Sequence, residues 1–329
     1  MLAPATTANL GPGFDALGLA LDWTEEVFLR LLPEGTAVEV VAPAGVAVPR
    51  DAGNLVVRGA RAVLRASGRP EAGMRVWLRA RLPVGRGLGS SAAAVAAGMV
   101  GANFALGHPL PPGRLVDLGT AIEGHPDNVA PAILGGFCVA SRAVQPAAEV
   151  PVSSAGAEAA GANAERAATL AVRLPVPPGL SAVAAVPDAP LDTQVARRAL
   201  PRLVPFGDAV ANVQRACLLV AAVASGRVDL LAEATRDRLH EPYRAPLVPG
   251  LLDCLAAARA AGALGAFLSG AGPTVLALVP AGGAAETHVA EAFAAVLART
   301  GGGRVHLMAL SPRGAVAQAA AGPPPAARE

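Results

Sequence analysis

The chain contains no lysine: all 27 of its basic residues are arginine. Any phosphate contact that requires an ammonium group is thereby excluded, including a Walker loop with its Gly-Lys-Ser or Gly-Lys-Thr core. Aromatic residues make up 3%, which leaves nothing for a base-stacking surface. The formal net charge is only +2 and the arginines are scattered, so neither nucleic acid nor an anionic membrane is expected as a partner. The three cysteines, Cys138, Cys217 and Cys254, lie far apart in apolar sequence. An odd, dispersed set argues against a disulfide framework or a metal cluster; small buried core residues in a reducing, cytoplasmic compartment are expected instead. No uninterrupted apolar run of membrane-spanning length is expected. Met1 to Asp15 lacks the basic and apolar regions of a secretory signal.

What is present is a 329-residue chain, 53% hydrophobic, long enough for one or two domains with a core. Residues 74–82 alternate, with Val76, Leu78, Ala80 and Leu82 opposed to Arg75, Trp77, Arg79 and Arg81, the pattern of a half-buried strand. Further strands are predicted at 27–32, 38–42, 133–140, 180–186, 264–269, 274–279 and 303–310. Asn54 is placed to cap a helix over 55–67 that ends before Gly68. Other helices are predicted at 91–106, 114–123, 208–224, 228–240, 250–261 and 285–299. Strands interleaved with helices point to an α/β or α+β architecture. Residues 145–168, rich in Ala, Gly, Ser and Glu, read as a surface excursion near a domain boundary, and 312–329 as a disordered tail.

The sharpest local feature is Pro83-Val84-Gly85-Arg86-Gly87-Leu88-Gly89-Ser90-Ser91-Ala92, between a predicted strand and a predicted helix. At a helix start the backbone N–H groups lack internal partners and the dipole is positive, so an anion is stabilised there. Gly85, Gly87 and Gly89 allow close approach of the backbone to a phosphate. Ser90 and Ser91 add hydroxyls, one of them a candidate Mg²⁺ ligand. The spacing does not match the dinucleotide-binding G-x-G-x-x-G pattern.

Leu82 to Ala93 resembles the second motif of the GHMP kinases. Pro4-Ala5-Thr6-Thr7-Ala8-Asn9-Leu10-Gly11-Pro12-Gly13-Phe14-Asp15 is similar to the first, and Leu268-Ser269-Gly270-Ala271-Gly272-Pro273-Thr274-Val275 to the third. Within that superfamily, the first motif resembles the homoserine kinase branch. So do Glu123-Gly124-His125-Pro126-Asp127-Asn128-Val129-Ala130-Pro131, Thr193-Gln194-Val195-Ala196-Arg197 and Asp237 to Arg244. The resemblance implies an α+β, two-domain GHMP kinase fold. Residues 1–160 would form a ribosomal-protein-S5-like ATP-binding domain, and 170–311 a ferredoxin-like C-terminal domain. It implies ATP and Mg²⁺ as cofactors, a homodimer, and phosphorylation of the side-chain hydroxyl of L-homoserine on the route to threonine.

A zwitterionic substrate needs a carboxylate clamp and an ammonium acceptor. Arg197 and Arg244 are the candidates for the clamp, because the guanidinium fork donates two parallel bonds. Asn9, Asp15 and Asp127 are acceptors for the ammonium. His125, Asn128 and Thr193 complete the substrate set implied by the resemblance. Ser91 and Glu123 are the candidate Mg²⁺ ligands. Asp15 and Asp127 are both open as proton acceptors, with Glu123 counted beside them in the catalytic set. A kinase for another small alcohol and a non-catalytic sensor of homoserine or ATP are the rival readings. The resemblance also implies a longer leading strand than the three residues, Met1 to Ala3, that precede Pro4.

Overall fold

The structure is a computed structural model that describes residues 1–69, 72–143 and 168–320. The excursion expected over 145–168, apart from Ala168, and the last nine residues of the expected tail lie outside the described residues.

The first half builds a six-stranded sheet. Its spine is β2 (Gly13–Glu34), 22 residues long, which pairs with β1 (Leu2–Asn9) on one side of its length and with β4 (Ala72–Leu78) on the other. β3 (Val38–Val41) lies parallel to β4. β5 (Phe137–Arg142) and β6 (Thr169–Leu174) extend the sheet beyond β2, so its last strand lies past the domain boundary expected at 160. The short lead before Pro4 does not cost the strand: β1 starts at Leu2, and the amino group of Met1 donates to Val27 O at 2.7 Å.

Four helices cover this sheet. α1 (Leu55–Ala66) starts where Asn54 accepts from Val56 N, as expected, and turns Val56, Val57, Ala60, Val63 and Leu64 inward. α2 (Ser90–Ala105) is apolar on nearly every face, which suits a helix packed between α1 and β1. α3 (Pro112–Glu123) and α4 (Val129–Leu134) follow. A strand was expected over 133–140, yet its start is helical. Gly135 and Gly136, at φ 72° and 67°, turn the chain between α4 and β5, so the strand begins only at Phe137.

The second half forms a four-stranded antiparallel sheet from β7 (Leu180–Pro187), β8 (Gly265–Leu268), β9 (Val275–Pro280) and β10 (Gly303–Ala309), in the order β10-β7-β9-β8. That order, with helices between β7 and β8 and between β9 and β10, is the ferredoxin-like split β-α-β arrangement. The helices are α5 (Thr193–Arg198), α6 (Phe206–Ser225), α7 (Leu231–Ala234), α8 (Glu241–Arg244), α9 (Leu251–Ala260) and α10 (Ala284–Arg299). A single helix was expected over 228–240. Instead a 3-10 turn at Val228–Leu230 leads into α7, and α8 begins at Glu241. The buried carboxylate of Asp237 accepts from the backbone N–H groups of Leu239, His240 and Glu241, and these bonds replace the helical ladder.

Three other expectations change. Residues 312–320 are described, and Val316 pairs with Leu2 through two backbone bonds of 2.9 Å, so the start of the expected tail is part of the fold. Cys138 and Cys254 are buried, but Cys217 is exposed on α6. By length and composition alone, α6 is apolar enough to span a membrane, contrary to the expectation that no segment would be. It is nevertheless anchored to the body: Asn212 at its middle donates to Asp237 and accepts from Arg238 N.

Candidate active site

The sequence motifs, widely separated in the chain, meet at one cleft of about 300 Å³. β1 is the strand that joins them, and it is buried along almost its whole length although it contains Thr6, Thr7 and Asn9. Each of these polar side chains has a partner from another motif, as buried polar groups require. The Thr6 hydroxyl donates to Asn128 Oδ1 (2.9 Å), and the Thr7 and Ser269 hydroxyls are hydrogen-bonded at 2.8 Å, with the Ser269 proton directed to Gly87 O. Asn9 donates to Gly270 O (2.9 Å) while accepting from Asp15 N (3.0 Å).

The glycine-serine loop sits as expected between β4 and α2. Gly89 precedes the helix in the left-handed region at φ 65°, and no side chain caps the helix start. Ala93 N is the amide that first bonds back, to Gly89 O, which leaves the first-turn N–H groups without intrahelical partners where Gly89, Ser90 and Ser91 line the cleft. Val84, Gly85, Gly87, Gly89, Ser90 and Ser91 line the cleft. Pro83, Arg86, Leu88 and Ala92 do not. Leu88 and Ala92 are core side chains, and the Arg86 guanidinium is turned onto the carbonyls of Val84, Pro187 and Asp188. Arg86 thus fastens the loop to the end of β7.

Two of the glycines are there for packing. A Cβ on Gly87 would lie 2.3 Å from Ser269 O and 2.8 Å from Gly272 O; one on Gly89 would lie 1.9 Å from the Thr6 hydroxyl. Both also have positive φ. The loop is therefore seated against the Thr6 side chain of the first motif at Gly89 and against the backbone of the third motif at Gly87. Gly85 is different: its Cβ would meet only Pro190, at 3.4 Å.

Glu123 lies just outside the cleft lining at the C-terminal end of α3, and its carboxylate accepts from Ser91 Oγ at 2.5 Å. A carboxylate at this end of a helix is unfavourable with respect to the dipole, and the Ser91 hydroxyl is its compensating partner.

Opposite the loop lies a charged group. Arg197, in the last turn of α5, makes two parallel bonds to Asp15, at 2.7 and 3.0 Å. These bonds raise the pKa of Arg197 above its ordinary value. Arg244 is 2% exposed yet faces the cleft. It donates to Gly270 O (3.0 Å) and Ala196 O (3.3 Å), and among the described residues it has no carboxylate partner. Burial, followed by the like charge of Arg197, lowers its pKa to about 10, which still leaves it cationic at neutral pH. Between the two arginines stands Phe14, its ring centroid 5.7 Å from one guanidinium carbon and 5.4 Å from the other.

His125 Nδ1 lies 2.5 Å from Asp127 Oδ1, which also accepts from Asn128 N. Burial opposes charging of His125, but the hydrogen bond and charge of Asp127, with Asp15 beyond, outweigh it and hold the pKa above the ordinary value. Asp127 Oδ2 has no hydrogen-bond partner among the described residues. Thr193 and Asn128 line the same cleft.

Several features escaped sequence reasoning. An apolar recess of about 120 Å³ continues from the loop and shares Val84, Ser90 and Ser91 with the cleft. It is walled by Val46, Val48, Pro49, Leu55 and Leu78, which come from separate segments and carry no common motif. Phe14 belongs to the first motif, but nothing in the sequence places a ring beside two arginines. His240 is fully buried, its Nε2 2.8 Å from Gly11 O and its Nδ1 3.4 Å from Arg244. Burial lowers its pKa, so the neutral ring can donate to Gly11 O and accept from Arg244.

The comparisons with known proteins agree with this geometry. The model for the N-terminal domain of GHMP kinases matches residues 54–136, and that for the GHMP kinase C-terminal region matches 219–301. The homoserine kinase of Moorella thermoacetica is 43% identical over 300 residues, covering 91% of this chain and 92% of that one. The homoserine kinase of Carboxydothermus hydrogenoformans is 40% identical over 293 residues, 89% of each. The crystal structure of homoserine kinase from Cytophaga hutchinsonii superposes with a TM-score of 0.82 at 32% identity, covering 95% of both chains. With this identity along nearly the whole chain, and with the two-domain α+β architecture, the chain belongs to the homoserine kinases of the GHMP kinase superfamily.

Proposed function

We propose that the chain transfers the γ-phosphoryl group of ATP to the side-chain hydroxyl of L-homoserine, giving O-phospho-L-homoserine and ADP. The observation that carries this reading is the pairing, across one cleft, of a helix start without a side-chain cap with a buried cation that has no carboxylate partner among the described residues. The first suits the phosphates, and the second suits an amino-acid carboxylate.

In this reading the phosphates lie along the first turn of α2 and the base occupies the apolar recess beside it. Ser91 and Glu123 have the chemistry of a Mg²⁺ site, two hard oxygens 2.5 Å apart beside the phosphate cradle. The metal would neutralise charge on the transferring group. Arg244 takes the substrate carboxylate. Arg197 is already neutralised by Asp15, so its part is to orient that carboxylate and to border the site with Phe14. Asp127 offers Oδ2 to the incoming hydroxyl or ammonium, with His125 and Asn128 holding its other oxygen in place. Asn9 supports Asp15 and Gly270 rather than standing free as an acceptor. Catalysis on this plan is chiefly positioning and charge stabilisation. A division into two domains after β6 (Thr169–Leu174), a cytoplasmic setting and a homodimer belong to the same reading.

The test is an ADP-release assay with homoserine, serine, threonine, mevalonate and galactose as acceptors. Homoserine is expected to give the highest kcat/KM. A higher value for any other alcohol would overturn the substrate assignment, and ATP binding without turnover on any of them would favour a sensor.

A further inference from the structure

The helix that carries Arg197 has little of its own to hold it in place. α5 is six residues long and buries only Ala196. A helix this short is marginal alone, so its position is set by what grips its two ends. At the C-terminal end Arg197 is bonded twice to Asp15, and Ala196 O accepts from Arg244 Nε at 3.3 Å. At the N-terminal end the Asp192 carboxylate accepts from Gln194 N (2.7 Å) and Val195 N (3.1 Å). The lead into that cap, residues 187–191, is held by the glycine-serine loop. Arg86 Nε donates to Pro187 O at 2.9 Å, and Arg86 Nη2 donates to Asp188 O. Leu191 N donates to Gly85 O at 3.1 Å.

The two halves of the loop are restrained differently. At Gly87 and Gly89 it is wedged against the first and third motifs with no room for a Cβ. From Val84 to Arg86 that packing is missing. Val84 is 55% exposed, and a Cβ on Gly85 would meet only Pro190, which belongs to the β7–α5 lead itself. Apart from Thr274 N, 3.4 Å from Arg86 O, the bonds that fix this half run to the lead and, through Arg86 Nη1, back to Val84 O at 3.1 Å. The Val84–Arg86 half of the loop and the lead into α5 therefore hold each other. The Arg86 side chain acts only through these carbonyls, since Arg86 does not line the cleft.

On the reading that ATP and homoserine share the cleft, we propose that Arg86 is a positioning residue that couples their binding. A nucleotide seated on the loop fixes the Val84–Arg86 half. Through Arg86 and Gly85 O it fixes the lead, and through the lead α5 with Arg197 and Ala196 O. Homoserine works in the reverse direction, since its carboxylate sets Arg197 and Arg244 and so the C-terminal end of α5. Whichever ligand binds first orders the shared segment, and the second finds its site already formed. Such a coupling is reciprocal: each ligand must change the affinity of the other by the same factor.

The test is titration calorimetry of the full chain with homoserine, without nucleotide and then with saturating Mg²⁺ and a non-hydrolysable ATP analogue. In the wild type the analogue is expected to lower the homoserine Kd by about fivefold or more, and homoserine to lower the analogue's Kd by the same factor. In Arg86→Ala both factors should fall below about twofold. A bond that merely stiffened the fold would move Tm and leave this factor alone. Arg86→Lys should restore part of the factor, because an ammonium lacks the planar fork that spans the carbonyls. If Arg86→Ala does not fold, the lysine variant carries the test, and a wild-type factor in it counts against the proposal. Homoserine binding that the analogue leaves unchanged in the wild type would overturn the coupling while sparing the substrate assignment. A wild type that binds no homoserine would overturn that assignment, and the coupling with it. An Arg86→Ala protein that binds the analogue more weakly but keeps the wild-type factor would place Arg86 on the phosphates instead.

Discussion

At the scale of single residues, Arg244 is the most informative position. It is a buried cation whose described partners are carbonyls, the His240 ring and the Phe14 ring; Asp15, Asp237 and Asp127 favour its charge from a distance, but no carboxylate among the described residues bonds it directly. Arg244→Leu should therefore raise the KM for homoserine at least tenfold, since a charge-assisted hydrogen bond contributes about 1.5–3 kcal/mol. The KM for ATP should stay unchanged, and Arg244→Lys should recover only part of the loss because an ammonium lacks the fork. Homoserine amide should be a poor substrate of the wild type. Equal wild-type kcat/KM for homoserine and its amide would remove Arg244 from the site. A second residue-scale expectation concerns pH. Burial raises the pKa of Glu241 to about 8, against 4.5 ordinarily, with the Leu268 amide opposing as a donor. The folded state thus holds this proton more tightly than the unfolded state does. The stability linked to it is complete below about pH 4.5 and is lost as pH rises toward 8. Glu241→Gln keeps the acceptor for Leu268 N and cannot ionise. It should raise Tm by a few degrees at about pH 8.5, at roughly 2–4 °C per kcal/mol, and flatten the Tm profile across this window. Unchanged profiles in calorimetry would show that Glu241 does not titrate in the fold.

At the scale of elements, the glycine-serine loop separates two roles that look identical in the sequence. Gly87 and Gly89 are pressed against backbone and side chain of the other motifs, whereas Gly85 is open. Gly87→Val and Gly89→Val should accordingly lower Tm strongly, each costing about 3 kcal/mol or more from overpacking added to a strained φ. Gly85→Ala should cost only about 1 kcal/mol for its positive φ while still weakening ATP binding. A Gly87→Val protein with wild-type Tm and weakened ATP binding would return Gly87 to the phosphate side of the loop. The pair formed by the start of one helix and the end of another, Ser91 at the head of α2 and Glu123 at the tail of α3, is tested by Glu123→Gln. If this pair holds the metal, kcat should fall by at least tenfold and more than the homoserine KM rises. Normal turnover at saturating Mg²⁺ would exclude Glu123 as a ligand.

At the scale of the whole molecule, the two sheets are joined through the site itself. Gly270 N bonds Ala8 O, Asn9 bonds Gly270 O, and Ser269 bonds both Thr7 and Gly87 O. The cleft and the junction between the halves are thus the same set of contacts, and damage to one should appear in the other. Asn9→Ala deletes two bonds of a buried side chain and leaves Asp15 N and part of Gly270 O without partners, at about 1–3 kcal/mol each. It should lower Tm and turnover together. A variant with full stability and reduced turnover, measured by calorimetry and initial rates, would show that Asn9 acts on the substrate alone. The continuation of the chain to Val316, which pairs with Leu2, ties the two halves at a second place, away from the cleft.

Most of the helices and strands were legible because their signals are local: alternation in β4, the Asn54 cap of α1, and the run of apolar residues in α2 bounded by Gly89 and Gly107. The motifs that name the family are contiguous in the chain, and so are the arginine, serine and carboxylate positions within them. The misread stretches have a common cause. Residues 228–240 carry a helical composition, but the side chain of Asp237 competes for the backbone, and the strand expected from 133 yields its start to α4 through two left-handed glycines. What the chain by itself determined was the family, the two-part architecture and the list of polar residues at the site. Only tertiary structure decided that Arg197 is already occupied by Asp15 while Arg244 has no carboxylate partner among the described residues, that Gly87 and Gly89 are packing residues, and that Arg86 turns its side chain onto the end of β7. The physical reason is that propensity and motif are properties of neighbours in sequence, whereas charge compensation, close approach and exposure are set by residues up to 262 positions apart that only the folded chain brings within a few ångströms.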